Sequence, residues 1–269
     1  MPSQDDTQSL TLIFVHGAGS SALFWHEQRM AFPDAHYVNL PEHETERSQK
    51  SEIRNQQSAS QATAVNRKSI EGYADWVVQY VEDAELRDVV LNGHSMGGAI
   101  ALALALRRPA WLRGVVLAGT GARLRVDPHL LELLHTDYPA VVDWIVKMSF
   151  AHQEGPLTYG QQVRRNGTRR QMLRVPQEVT LDDYRACDSF DVMDRLGEIE
   201  LPTLCVAGAQ DRMTPPKYSE HLHQGIKGSR LEIIERAGHM LPLEKPQEYN
   251  RVVGEFLYNV ERLRKVNRR

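Results

Sequence analysis

Two cysteines in 269 residues leave no basis for a disulfide framework. Cys187 and Cys205 each sit in an apolar stretch, and neither has a second cysteine or a clustered histidine at ligand spacing. No metal is expected, zinc included. An excess of one charge sign is also missing. Lys and Arg number 32 against 35 Asp and Glu, so the net charge of −3 offers nucleic acid or an anionic membrane no general attraction. No apolar run approaches the roughly 20 residues of a spanning helix, so membrane insertion is not expected. The opening Met-Pro-Ser-Gln-Asp-Asp has neither the basic start nor the apolar core of a signal peptide, and the default expectation is a cytoplasmic, reduced protein. There is no internal repeat.

What is present is a globular composition, 41% apolar and 25% charged. The length suits one α/β domain with an inserted subdomain. Short runs rich in Val, Ile and Leu predict strands at residues 10–15, 35–40, 87–92, 114–118, 203–206 and 231–234. Between them lie helical patterns. Ser69 is a suitable N-cap for a helix whose face carries Ile70, Tyr73, Val77 and Tyr80. Residues 96–108 alternate Ala and Leu like a strand. Their length, their alanine content and the Arg107-Arg108-Pro109 stop predict a buried helix instead. Tyr249, Val252, Val253, Phe256 and Val260 share one face of a closing helix. Strand alternating with helix implies βαβ units and a mostly parallel sheet with helices on both faces. Two stretches break the rhythm. Residues 42–68 are polar, with little to bury, and read as a loop. Residues 122–199 carry three helical runs and no strand. The expected division is a core of two segments, residues 1–121 and 200–269, with a helical cap of residues 122–199 inserted between them.

Gly93-His94-Ser95-Met96-Gly97 fits G-x-S-x-G. Chance supplies that pattern in roughly six chains per hundred, so its context decides. Here an apolar strand runs into it and a buried helix leaves it. So sharp a strand-to-helix turn crowds the positions two before and two after the serine, where glycine relieves the crowding. Ser95 then projects above the N-terminus of its own helix, where dipole and amides favour developing negative charge. A serine nucleophile needs a base, and the base an orienting acid. Asp211 follows the fifth strand and His239 the sixth, each in a turn at a strand end. Gly119-Thr120-Gly121, after the fourth strand, offers no rival carboxylate. Of the 11 histidines, His94 adjoins Ser95 but is expected to point elsewhere. His16 is expected to brace a loop, and His43 has no reason to converge on the site. The glycine turn after the first strand makes the Ala18 amide the second candidate oxyanion donor beside that of Met96. Met213 and Met240 flank the triad in sequence. With Phe24, Trp25, Trp144 and Phe190 they form the candidate lining of an apolar substrate pocket.

These residues together resemble the α/β-hydrolase superfamily, in particular the cap-bearing, single-domain branch that includes carboxylesterases and carbon–carbon bond hydrolases. The likeness runs from His16-Gly17 through Gly-His-Ser-Met-Gly-Gly to Asp211-Arg212 and Gly238-His239. It implies a Ser-Asp-His triad, with oxyanion donors at Ala18 and Met96. Two departures are visible. The family's Pro-Gly-His-Gly turn stands here as Leu40-Pro41-Glu42-His43-Glu44, and the usual opening antiparallel strands are expected to be absent. The expectation is a cofactor-free serine hydrolase, monomeric or homodimeric, that cleaves ester-like bonds of a small molecule. A carbon–carbon bond hydrolase or a perhydrolase with the same triad is the alternative within the fold. A non-catalytic ligand receptor is the alternative outside enzymes. Five cap arginines (Arg164, Arg165, Arg169, Arg170 and Arg174) read as a solvated helix face.

Overall fold

The computed structural model describes residues 9–43 and 69–267. Most of the polar stretch, from residue 44 to 68, therefore lies outside the described residues. Six strands form one sheet in the order β2-β1-β3-β4-β5-β6. They are β1 (Thr11–Val15), β2 (His36–Val38), β3 (Val89–His94), β4 (Leu112–Ala118), β5 (Thr203–Gly208) and β6 (Arg230–Ile234). Every pairing among them is parallel, with Val15 beside Gly93, His94 beside Ala118 and Gly208 beside Ile234.

Covering both faces of a parallel sheet requires strands that are apolar on both sides, and β3 is buried from end to end. Successive side chains alternate between two cores. Ile13, Val15, Leu91 and Leu117 pack on one face with Ile70, Tyr73 and Val77 of α1 (Ile70–Asp83) and Ile100 and Leu104 of α2 (Met96–Arg107). Phe14, Val90, Val116 and Val206 pack on the other with Tyr249, Val253 and Phe256 of the closing helix. Residues 96–105 are all buried, which resolves the Ala-Leu alternation in favour of helix, and Arg108 ends α2 in a left-handed conformation.

Four helices connect β4 to β5: α3 (Pro128–Thr136), α4 (Tyr138–Ser149), α5 (Tyr159–Met172) and α6 (Gln177–Ser189). Asp127 and Asp137 cap the first two through their side chains. The sequence marks only three helical runs here. The fourth, α5, is started by a Thr158–Gln161 capping box and buries only Thr168 and Met172, so no apolar stripe announces it. The predicted arginine face lies on this helix and the turn after it. The two ends of the insertion meet, with Val192 N–H donating to Ala122 O at 2.8 Å and Arg123 bridging to Asp191. After β5 comes α7 (Pro216–Gly225). Its Pro215-Pro216 start sits at the N-cap and N1 positions. The short α8 (Leu241–Glu244) and the closing α9 (Pro246–Asn267) complete the chain. Among the described residues, no helix is long and apolar enough to cross a membrane.

Candidate active site

The backbone at the end of β3 sets Ser95 apart from its neighbours. Ser95 has φ 53° and ψ −116°, a strained conformation for a residue with a side chain. Between Val89 and Ala105 it is the one residue that is not buried. Its side chain does not cap the helix that begins at Met96. The turn has no room to spare. A Cβ on Gly93 would run into the Gly97 carbonyl, and one on Gly97 into the Val15 carbonyl across the sheet. The two motif glycines are thus fixed by close backbone approach.

Asp211 and His239 meet at the ends of β5 and β6. His239 Nδ1 lies 2.8 Å from Asp211 Oδ2. The carboxylate is saturated with donors: Oδ1 accepts the Met213 and Thr214 amides at 2.8 and 2.9 Å, and Oδ2 accepts the Thr214 hydroxyl at 2.9 Å. Burial alone would raise the Asp211 pKa, but the His239 ring and these donors outweigh it and hold the group below the ordinary carboxylate value. Thr214 Oγ1 also lies 3.1 Å from His239 Nδ1, so one hydroxyl braces both members of the pair. The sequence shows Thr214 but not this role.

His94 turns toward His239. Its Nε2 donates to the His239 carbonyl at 2.8 Å, and its ring stacks on Phe24 with centroids 4.6 Å apart. Burial, then the neighbouring His239, lowers its pKa to about 3, so it is a neutral brace. Glu244 holds the same loop from the other side. Its Oε1 accepts the Gly238 amide and its Oε2 accepts the Ala151 amide just beyond α4.

The loop after β1 passes over the serine. A Cβ on Gly17 would lie 3.1 Å from Ser95 Cβ. His16 braces this loop as expected, with Nδ1 donating to Gly17 O at 2.9 Å and Nε2 accepting the Leu40 amide at 3.1 Å. Burial and the adjacent His43 push its pKa well below the usual value. The amides of Ala18 and Met96 make no hydrogen bond among the described residues. Gly19, by contrast, donates to Asp183 Oδ2 at 2.8 Å. His43, not expected to converge on anything, also bonds Asp183 at 2.8 Å, and both side chains are fully buried. Burial works against a charged His43, but the carboxylate and the Pro41 carbonyl raise its pKa overall.

Ser95, His239, Ala18 and Thr214 share the wall of a cavity of about 220 Å³. Of the six residues predicted to line the pocket, Phe24, Trp144, Met213 and Met240 do so. The other two are placed differently. Trp25 is fully buried against Phe14 and Tyr249, and Phe190, the C-cap residue of α6, packs in the hydrophobic core. Size and proximity in sequence single out both, and neither property distinguishes a wall from a core. Leu124, Val126, Leu130, Ile145, Met172 and Tyr184, which the sequence does not single out, add to the lining. Cys187 lies there too, and burial raises its thiol pKa above the ordinary value. Among the described residues, no group of three or more His, Cys, Asp or Glu could hold a metal ion.

Comparison with known proteins places this geometry in a family. The model of the alpha/beta hydrolase family matches residues 12–252. The chain belongs to the α/β-hydrolase family. A solved structure described as a thermophilic esterase is 32% identical to this α/β hydrolase, with a TM-score of 0.72, covering 93% of this chain and 90% of its own. A proline iminopeptidase of Saccharolobus solfataricus is 29% identical over 66% of this chain and 64% of its own length. A pimeloyl-(acyl-carrier protein) methyl ester esterase of Neisseria meningitidis serogroup A is 29% identical over 71% of this chain and 62% of its own. The chain thus spans just under two thirds of each of these two relatives.

Proposed function

We propose that the protein is a serine hydrolase that cleaves ester-like bonds of small apolar substrates through an acyl-enzyme. The reading rests above all on one observation: the strained, partly exposed Ser95 and the Asp211–His239 pair meet at the same apolar cavity. Asp211 engages Nδ1 of His239, which leaves Nε2 to take the Ser95 proton as Oγ attacks the substrate carbonyl. The carbonyl oxygen becomes an oxyanion held by the Ala18 and Met96 amides. His239 then returns the proton to the leaving alkoxide, which departs as the alcohol. Water, deprotonated by the same nitrogen, attacks the acyl-serine, and collapse of the second tetrahedral intermediate frees the acid and restores Ser95. Asp211 stays ionised and stabilises the imidazolium.

The four helices between β4 and β5 are the cap in this reading, since Leu124, Leu130, Trp144, Ile145, Met172 and Tyr184 come from this insertion. A cavity of about 220 Å³ is smaller than the roughly 300–1,000 Å³ of sites for drug-sized ligands, which argues for short acyl groups. The relatives' esterase names are consistent with this chemistry. The test is hydrolysis of p-nitrophenyl esters of increasing chain length. Turnover is expected to favour butyrate over palmitate and to fall by at least about a thousandfold in Ser95→Ala. A folded Ser95→Ala protein with full activity would overturn the assignment.

A further inference from the structure

One face of helix α6 holds the loop that carries the Ala18 amide. Gly19, the next residue, sits at φ +60° and donates its N–H to Asp183 Oδ2 at 2.8 Å. One helical turn before Asp183, Thr180 closes the other side, because a Cβ on Gly19 would lie 2.8 Å from Thr180 Cγ2. Gly19 is therefore gripped twice by α6, once by a charge-assisted hydrogen bond and once by shape. The carboxylate is itself fixed. Asp183 is fully buried, and besides Gly19 it accepts Tyr73 Oη from α1 at 2.5 Å and contacts His43 Nε2 from the loop after β2 at 2.8 Å. Three separate core segments thus converge on one side chain of the helical insertion.

The same helix reaches the substrate cavity. Tyr184 and Cys187, one and four residues further along, line it. A fully buried carboxylate is costly unless every lone pair is used, so this cluster is more than a surface contact between insertion and core. We propose that Asp183 is the positioning residue of the oxyanion loop: it fixes Gly19, and with it the direction of the adjacent Ala18 amide, from the helix that forms a section of the substrate wall. The proposal rests on the serine-hydrolase reading above. Its consequence is that the cap does more than cover the site. Displacing α6 misaims one of the two oxyanion donors, and an error near 1 Å at such a donor costs up to about a hundredfold in rate.

The experiment compares Asp183→Ala, Asp183→Asn and wild type. Rates for p-nitrophenyl butyrate are normalised to the fraction of sites that react with a fluorophosphonate, so that partial misfolding does not count as lost catalysis. For Asp183→Ala, kcat per reactive site is expected to fall at least about tenfold, with KM changing less than about threefold. Affinity for phenylboronic acid, whose serine adduct places an oxygen in the oxyanion position, is expected to weaken in parallel. Asp183→Asn keeps an oxygen for the Gly19 amide and is expected to recover most of the loss. Asp183→Ala protein that folds and keeps kcat and boronate affinity within twofold of wild type would overturn the proposal. If neither variant folds, the wild-type Gly19 amide decides. Its NMR signal is expected to exchange slowly with solvent and to shift when phenylboronic acid binds, but not in Ser95→Ala. Exchange at the rate of an open loop, or no shift on binding, would overturn it. Wild-type protein that neither labels with fluorophosphonate nor hydrolyses any ester would remove the hydrolase reading itself. Slow Gly19 exchange would still be observed in that case, which separates the two failures.

Discussion

Thr214 shows how much of the Asp211–His239 geometry is held by a third residue. Its hydroxyl donates to Asp211 Oδ2 and lies 3.1 Å from His239 Nδ1, in a pocket where an unpaired carboxylate oxygen has no solvent to turn to. Thr214→Val keeps the shape and removes the hydroxyl. Its expected effect is a loss of about 1 kcal/mol in stability and a fall in kcat of about tenfold, with little change in KM, as read by denaturation and steady-state kinetics. That Ser95 and the Asp211–His239 pair come together is legible in the sequence because each residue follows a recognisable strand, and the order of strand ends fixes which residues can meet. Thr214, His94, Glu244 and Asp183 are not legible in their roles. Asp183 and Gly19 are 164 positions apart, and His94 and His239 145 apart. No local pattern encodes a hydrogen bond between segments that only the folded sheet brings together.

At the level of the element, β3 and α2 are built around the serine turn, and their sequence shows it. Gly97→Ala places a methyl group against the Val15 carbonyl, in backbone that cannot move without breaking the β1–β3 ladder. The expected outcome is loss of activity with a stability cost of about 2 kcal/mol or more, measured by urea denaturation. The strands and α2 are readable because their apolar runs are cleanly ended. Helix α5 is hidden by a nearly polar surface.

The buried histidines that join these elements also set a pH dependence. His94 is neutral in the folded protein down to about pH 3, whereas the unfolded chain takes up that proton near pH 6.5. Its contribution is therefore full above pH 6.5 and is lost progressively as pH falls toward 3, by about 1.4 kcal/mol per unit. His16 acts in the same direction. His43, whose pKa is raised, opposes them: its pairing with Asp183 stabilises most below pH 6.5 and weakens as pH rises through the folded value. Below pH 6.5 the His43 contribution is already nearly complete, so urea midpoints are expected to fall between pH 6.5 and pH 4.5 as His94 and His16 lose theirs. A midpoint that stays level or rises over that interval would contradict the burial of these two histidines in neutral form.

In the molecule as a whole, a six-stranded parallel sheet and a helical insertion together enclose a small apolar cavity. The sheet supplies three strand ends that meet, and the insertion supplies much of the wall and the Asp183 anchor. The most direct test of the central claim is to treat the protein with a fluorophosphonate and locate the adduct by peptide mass spectrometry. The expected result is one adduct per chain, on Ser95, that is absent from Ser95→Ala. An adduct on another residue, or no adduct on a protein that still turns over esters, would contradict it.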